Sequence, residues 1–269
     1  MGFSADIFQQ ELRTQRLGRA CRVVAEAHST IDLAWVWLRD SGPDGGVVLA
    51  EKQTRARGRL GRRWVAPDGG LWLSLMARPG LPVSYAGRLG IAVALAAAAA
   101  VVEETGAAAR VKWPNDVLLS GRKLGGVLVE TEVAEETVTA AVLSLGLNVN
   151  VDLGALPAEV RAAAMSLSEA TGRVWSLEKL AARTCEHLER GWPLLSEARS
   201  GLVEKWQQMD ALAGERVAVN LAATPGDGEM EVRGVNAGID EAGALILETA
   251  AGSRRVASGA VRLLREAAV

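Results

Sequence analysis

Residues 123–150 read KLGGVLVETEVAEETVTAAVLSLGLNVN, two long runs rich in branched apolar side chains. Such residues favour β-strands. The segment AEET (134–137) between the runs is too short for a helix. A parallel pair of strands needs a crossover of about a dozen residues, so strands joined this closely pair antiparallel. This stretch therefore predicts two antiparallel strands in one sheet.

The rest of the first half extends this pattern. Three more strand-like runs are GGVVLAEKQ (45–53), GLWLSLMAR (70–78) and ARVKWPNDVLL (109–119). The run IAVALAAAAAVV (91–102) is too short to span a bilayer and predicts a buried helix after the second of them. STIDLAWVWL (29–38) predicts a helix in which Ser29 and Asp32 form a capping box. Because few helices separate the strands, the sequence predicts an α+β fold with a mixed, largely antiparallel sheet and packed helices.

The pattern changes after Val151, where helical spacing predominates. SLEKLAARTCEHLERGWPLL (176–195) and GLVEKWQQM (201–209) predict helices. From about Gly214 onward, short strand-like runs alternate with turn residues, as in a small β-barrel. These runs are ERVAVNL (215–221), EMEVRGVNAGI (229–239), GALILET (243–249) and SRRVASG (253–259). Residues 1–22 resemble a polar amphipathic helix. Together with the change of pattern near Gly214, this predicts an N-terminal extension (1–22), a main domain (23–213) and a C-terminal β domain (214–269).

Composition limits the classes of function. The chain has 269 residues and a formal net charge of -2, which argues against non-specific binding of nucleic acid or membranes over the whole surface. Cys21 and Cys185 are its two cysteines, and no apolar signal segment precedes them. We therefore expect a cytoplasmic protein. The residues before Val23 are too few for a separate DNA-binding domain, so we expect no DNA partner.

The segment QTRARGRLGRRW (53–64), hereafter the arginine loop, has five arginines within nine residues. By itself it is as consistent with a solvated loop or an RNA-contacting patch as with a catalytic site. Three more polar groups follow, VKWPND (111–116), RKLGG (122–126) and GLNVN (146–150). Each alone has an ordinary explanation as a turn, a hairpin closure or a strand end.

In this order the segments resemble the biotin protein ligases. That family's pattern is Ser-Thr, then Gln-x-x-Gly-Arg-Gly-Arg-x-Gly-Arg-x-Trp, Lys-Trp-Pro-Asn-Asp, Lys-Leu-x-Gly and Gly-x-Asn, and the match runs from Ser29 to Asn150. The C-terminal strands are similar to the family's SH3-like domain. The resemblance implies a seven-stranded sheet and a monofunctional ligase without an N-terminal DNA-binding domain. Two departures are Ala56, where the family has the first loop glycine, and Ile31, where it has asparagine.

The resemblance also implies the reaction. Biotin and ATP form biotinyl-5′-AMP with release of pyrophosphate, and biotin passes to one lysine of a biotin carboxyl carrier protein or carboxylase carrier domain. Two unit negative charges about 4 Å apart repel by roughly 4 kcal/mol at an effective dielectric constant near 20, so cations must offset the approach of a carboxylate to a phosphate. We therefore expect the arginine loop to be a cationic lid that is disordered without its ligand and ordered with it.

By resemblance, the site residues fall into three groups. The catalytic residues are Lys123, Arg57, Arg59, Lys112 and Asp116. The biotin-binding residues are Ser29, Thr30, Gln53, Arg57, Trp64, Lys123 and Gly126. The nucleotide-binding residues are Arg59, Trp64, Asn115 and Asn148, with Mg²⁺ on the phosphates and its protein ligands unknown.

Two other functions are compatible with parts of this sequence. A lipoate-protein ligase shares the general fold and chemistry by resemblance, but the arginine loop and WPND favour the biotin branch. An RNA-binding module would need exposed aromatic residues and a wider basic face, which the sequence does not show. We expect a monomer or a weak homodimer.

Overall fold

The computed structural model of the protein describes residues 2–196, 201–221 and 231–264. They form an α+β fold with an eight-stranded sheet, packed helices and a separate five-stranded sheet. The helices are α1 (Ala5–Glu11), α2 (Thr30–Arg39), α3 (Ala86–Thr105), α4 (Ala158–Ala163), α5 (Leu167–Thr171), α6 (Leu177–Gly191) and α7 (Gly201–Met209).

The strands of the larger sheet include every run predicted in the first half of the chain. They are β1 (Cys21–Ala27), β2 (Val47–Gln53), β3 (Leu71–Ala77), β4 (Leu81–Pro82), β5 (Arg110–Lys112), β6 (Asp116–Leu119), β7 (Arg122–Ala134) and β8 (Thr137–Leu147). Their order is β1-β2-β3-β8-β7-β6-β5, with β4 beside β8. The pair β1-β2 is parallel and the other described pairs are antiparallel, which confirms the predicted mixed sheet. The two-residue β4 is one strand more than the seven that the resemblance implied.

The alanine-rich helix α3 is longer than its predicted apolar run. By length and composition alone, residues 83–105 could cross a membrane, although most of the segment is buried inside the protein. Ala94, Ala97 and Ala98 have no exposed surface. Because alanine is small, α6 and the sheet can both pack closely against this helix. The prediction of a buried helix is confirmed.

The structure corrects the prediction for the first 22 residues. The helix ends at Glu11, and β1 begins at Cys21 and pairs with β2. Phe8 of α1 is completely buried. Further along, the carboxylate of Glu189 on α6 accepts hydrogen bonds from three consecutive backbone amides, those of residues 15–17. This segment is therefore packed into the fold rather than appended to it.

The smaller sheet has the order β12-β11-β10-β9-β13. Its strands are β9 (Arg216–Asn220), β10 (Glu231–Ile239), β11 (Leu245–Thr249), β12 (Gly252–Val256) and β13 (Ala260–Leu263). The four predicted strands are present, although residues 229 and 230 of the second lie outside the described residues, and β13 was not predicted. Within the described ranges its end strands β12 and β13 do not pair, so this sheet is open and a closed SH3-like barrel is not confirmed.

Hydrogen bonds and packing join the two sheets. The indole nitrogen of Trp113, which precedes β6, donates to the carbonyl of Gly243 at 3.0 Å. The buried guanidinium of Arg88 on α3 donates to the carbonyl of Glu241. Both acceptors lie in the turn between β10 and β11, and one apolar core continues across the boundary. The smaller sheet is thereby held so that the start of β13 faces the arginine loop.

Candidate active site

A cavity of about 350 Å³ lies between the larger sheet, the first turn of α2 and the arginine loop. Its volume is within the range of small-molecule sites. It brings together nearly all of the predicted site residues from distant parts of the sequence. Those in its lining are Ser29, Thr30, Gln53, Arg57, Arg59, Trp64, Lys112, Asn115, Asp116, Lys123 and Gly126.

Two lysines share one carboxylate in this cavity. Lys123 Nζ lies 2.6 Å from Asp116 Oδ1, and Lys112 Nζ lies 3.6 Å from Asp116 Oδ2. Asp116 pairs with Gly126 across β6 and β7. A Cβ atom at Gly126 would come within 3.4 Å of Lys123 Nζ, so the glycine leaves room for the ammonium group. The pairing of β6 with β5 on one side and with β7 on the other therefore brings two cations to Asp116.

Arg57 of the arginine loop is held by two carboxylates. Its Nη2 donates to Asp32 Oδ1 at 2.7 Å, and its Nε donates to Glu130 Oε1 at 3.0 Å. The hydrogen bond to Asp32, followed by that to Glu130, raises the pKa of Arg57. The other oxygen of Glu130 accepts from Trp35 Nε1 at 2.9 Å, which fixes the carboxylate on β7.

This arrangement corrects the predicted capping box. Ser29 does cap α2, but its hydroxyl accepts from the amide of Ile31 at 3.2 Å. Asp32 pairs with Arg57 instead of returning to the helix terminus. A nearby arginine offers a carboxylate a charge-assisted hydrogen bond, which is stronger than one to a neutral amide.

Arg59 faces the smaller sheet. Its guanidinium donates to the carbonyl of Gly259 and to the hydroxyl of Ser258, both at 3.4 Å. Burial lowers the pKa of Arg59, which the charge of Asp116 partly opposes. Residues 259–261 also line the cavity, so both sheets contribute to the site. No motif in the sequence pointed to this segment.

Trp64 ends the arginine loop and forms one wall. Its ring lies 5.3 Å from Lys123 Nζ and meets the ring of Trp72 edge-on at 6.3 Å between centroids. A Cβ atom at Gly146 would be 3.2 Å from the indole, so this glycine makes space for the ring. The backbone amide of Trp64 donates to the carbonyl of Ala56 at 3.0 Å, which closes the loop on itself.

Comparison with known proteins shows the family. Residues 24–150 match the biotin/lipoate A/B protein ligase family, and residues 214–264 match the biotin protein ligase C-terminal domain. The chain is 34% identical over 268 residues to the biotin--[acetyl-CoA-carboxylase] ligase of Mycobacterium tuberculosis, covering 96% of each protein. This chain belongs to the biotin protein ligase family.

Two other family members are similar over most of the chain. The bifunctional ligase/repressor BirA of Bacillus subtilis is 30% identical over 259 residues, which are 94% of this chain and 76% of that protein. The structure of a biotin protein ligase from Aquifex aeolicus in complex with biotin and ATP superposes with a TM-score of 0.72. It is 28% identical and covers 92% of this chain and all of that one.

One predicted site residue of this ligase lies outside the cavity lining. Asn148 is buried, its amide donates to the carbonyl of Leu124 at 2.8 Å, and its side chain donates to the carbonyl of Met165 at 3.2 Å. It therefore fixes the backbone next to Lys123, whose own carbonyl accepts from the Met165 amide at 2.8 Å. The structure supports a positioning role for Asn148, and contact with the nucleotide stays a prediction.

Two residues that the sequence analysis did not select also belong to this ligase site. Glu130 holds Arg57, and Ser144 lines the cavity with 8% of its surface exposed. In the sequence, Ser144 stands out as a hydroxyl residue within the apolar run VLSLGL. Ser74 interrupts the apolar run LWLSLMA in the same way. A buried hydroxyl group needs a hydrogen-bond partner, so a serine within an apolar strand indicates a position that makes a specific polar contact.

The described residues around the cavity form no metal site of their own. Among the described residues, no group of three His, Cys, Asp or Glu side chains could hold a metal ion. The carboxylate in the lining is Asp116, and each of its oxygens faces a lysine. Mg²⁺ binds through carboxylates and substrate phosphates. The residues present therefore do not fit a magnesium ion held by the protein, and any such ion would be carried by phosphates.

Proposed function

We propose that this protein activates biotin with ATP to biotinyl-5′-AMP and transfers biotin to a lysine of a biotin carboxyl carrier protein or domain. It would thus be a biotin--[acetyl-CoA-carboxylase] ligase. The observation that best supports this proposal is that, among the described residues, six cationic side chains and only one carboxylate line the cavity. These cations are Arg57, Arg59, Arg62, Arg63, Lys112 and Lys123.

In the first step, an oxygen of the biotin carboxylate attacks the α-phosphorus of ATP. A new P–O bond forms, the bond to the β-phosphate oxygen breaks, and pyrophosphate leaves. Lys123 is held beside Asp116 before the reaction starts, and Arg57 is held by Glu130. Cations that are fixed in advance stabilise developing negative charge without a cost of reorganisation during the reaction.

In the second step, the uncharged amine of the carrier lysine attacks the carbonyl carbon of biotinyl-5′-AMP. A C–N bond forms, the bond to the phosphate oxygen breaks, AMP leaves, and the attacking nitrogen releases one proton to the solvent. Arg59 and Lys123 are placed to stabilise the negative charge that returns to the phosphate. The arginine loop excludes water from the reactive anhydride, which protects it from hydrolysis.

The rest of the cavity suits the uncharged part of biotin. Trp64, Trp72 and Leu145 provide apolar surface, while Thr30 and Gln53 provide hydrogen-bonding groups. Ile31 and Ala56, the two departures from the family pattern, also line the cavity. They add apolar surface where the family has asparagine and glycine, and they leave the cationic groups unchanged.

A direct test combines the purified protein with biotin, ATP, Mg²⁺ and a carrier domain, followed by mass spectrometry of the carrier. We expect one biotinyl group on one lysine, and no addition without ATP or when that lysine is replaced by arginine. Attachment of lipoate in preference to biotin would contradict the proposal.

A further inference from the structure

Four polar side chains form a continuous row of hydrogen bonds beneath the cavity. Ser144 and Ser74 are 2.6 Å apart between hydroxyls, and Ser74 lies 2.8 Å from Thr30 Oγ1. Thr30 Oγ1 in turn lies 3.1 Å from Gln53 Oε1. Ser74 and Ser144 are direct partners across β3 and β8. The row therefore joins strands β3 and β8 to the first turn of α2 and the start of the arginine loop.

The direction of every hydrogen bond in this row follows from its last member. The amide of Thr30 also donates to Gln53 Oε1, at 2.7 Å, so this atom is an acceptor and the orientation of the Gln53 side chain is fixed. The single hydroxyl proton of Thr30 then points to Gln53. Thr30 Oγ1 consequently accepts from Ser74, and Ser74 accepts from Ser144.

This direction decides what the two ends offer to a ligand. Ser144 donates its only hydroxyl proton to Ser74, so the Ser144 oxygen can only accept hydrogen bonds from a ligand in the cavity. At the other end, Gln53 Nε2 keeps two donor hydrogens, for which the described part of the chain supplies no partner. The cavity floor thus has an acceptor at Ser144 and donors at Gln53. A cyclic urea has the complementary groups, ring N–H donors and a carbonyl acceptor, whereas a dithiolane ring or an alkyl chain has neither.

We propose that Ser144 is a specificity-determining residue that accepts a hydrogen bond from a ring N–H of the substrate acid. The row of hydrogen bonds keeps the hydroxyl proton of Ser144 turned away from the cavity and leaves its oxygen there as an acceptor, so the site selects acids that carry a cyclic urea. An acid without this N–H leaves a buried oxygen unpaired, and such a loss discriminates more strongly than a small change of shape. This inference rests on the proposed function and deepens it.

The test uses two analogues of biotin, in each of which one ring N–H is replaced by oxygen to give a cyclic carbamate. Dissociation constants for biotin and both analogues are measured by calorimetry with the full-length protein and with Ser144→Ala. The unmodified protein should bind one of the analogues about 5- to 50-fold more weakly than biotin because of this contact. In Ser144→Ala this difference should disappear, because biotin itself loses the same contact.

Two further variants separate this contact from changes in packing. Ser144→Cys retains the size of the side chain but has a weakly accepting sulfur, so it should also lose the discrimination. Thr139→Ala removes an exposed hydroxyl on the same strand and should retain it. Discrimination that is unchanged in Ser144→Ala and Ser144→Cys would overturn the inference while leaving biotin ligation intact. Failure of the unmodified protein to bind biotin would instead overturn the proposed function.

Discussion

The ammonium group of Lys123 lies 2.6 Å from the Asp116 carboxylate, and the two residues belong to neighbouring strands of one hairpin. The lysine side chain is 35% exposed and the aspartate 15%, so the pair is accessible from the cavity. Lys112 contacts the other oxygen of Asp116 at 3.6 Å. Asp116 therefore aligns two cations toward the position where a phosphate would carry negative charge.

The first prediction concerns Lys123. Lys123→Ala should reduce the rate of biotinyl-5′-AMP formation by about 10²- to 10³-fold, as removal of a charge-stabilising group does in other enzymes. The KM for biotin should change less, because this charge matters most in the transition state. Single-turnover measurement of the adenylate provides the test. Lys179→Ala, on the surface of α6, is the control, and an undiminished rate in Lys123→Ala would exclude Lys123 from the site.

The second prediction concerns Glu130, which orients Arg57. Glu130→Gln keeps the shape but removes the charge, so Arg57 should lose part of its preferred position. Both partners are about one third exposed, so we expect an effect of only about 1 kcal/mol, or roughly fivefold in the rate of adenylate formation. Glu132→Gln is a matched control, because Glu132 lies on the same strand and pairs with Arg39 at 2.6 Å. Equal rates in the two variants would contradict the positioning role.

The sequence predicted the parts of the site that depend on local pattern. The strand-forming runs and the turn and loop motifs were identifiable because branched residues, glycines and prolines restrict the backbone locally. The segments at Ser29, the arginine loop, WPND and RKLGG converge in the structure as the resemblance implied. The strand Cys21–Ala27 was missed, because its polar and apolar residues do not alternate regularly.

The residues that sequence analysis missed depend on register and on packing between the sheets. Glu130 reaches Arg57, 73 positions earlier in the chain, only because the arginine loop lies over β7. Ser144 meets Ser74 because β3 and β8 pair in one particular register. Gly259 enters the cavity because the smaller sheet packs against the larger one. None of these relationships is encoded in the spacing of a single segment.

The third prediction concerns stability and pH. Burial raises the pKa of Glu189, but hydrogen bonds from the backbone amides of Leu17, Gln15 and Arg16, and the charge of Arg16, more than offset this, so its pKa is lowered. A lowered pKa means that the carboxylate stabilises the fold above its unfolded value of about 4.3, and that this contribution is lost as the pH falls through the folded value.

Glu189→Gln should therefore lower the free energy of unfolding by roughly 1–2 kcal/mol at pH 7. The difference from the unmodified protein should shrink as the pH falls from about 4.3 through the lowered folded pKa of Glu189, below which both side chains are uncharged. Denaturant unfolding at several pH values measures this. Glu159→Gln, at an exposed position on α4, serves as the control. A difference that is constant from pH 7 to pH 3 would show that the charge of Glu189 does not hold the N-terminal segment.

The fourth prediction concerns release of the adenylate. Arg59 contacts Gly259 and Ser258 on one side and lines the cavity on the other, so it joins the arginine loop to the smaller sheet at the place where we propose that the phosphate of the adenylate binds. In Arg59→Ala, biotinyl-5′-AMP should still form, though more slowly. It should dissociate roughly ten- to a hundredfold faster, because charge-assisted hydrogen bonds worth about 1.5–3 kcal/mol are lost.

Released biotinyl-5′-AMP is an activated acyl donor that reacts with any accessible amine, so Arg59→Ala should biotinylate proteins that the unmodified enzyme does not label. The assay mixes each variant with biotin, ATP, carrier domain and an excess of an unrelated lysine-rich protein, and compares the biotin on the two acceptors. Arg55→Ala removes an exposed arginine of the same loop that does not line the cavity, so it should keep the selectivity of the unmodified enzyme. If Arg59→Ala showed the same release rate and the same selectivity as Arg55→Ala, Arg59 would not retain the adenylate. Its positive charge would then be an ordinary surface charge without a role in the reaction.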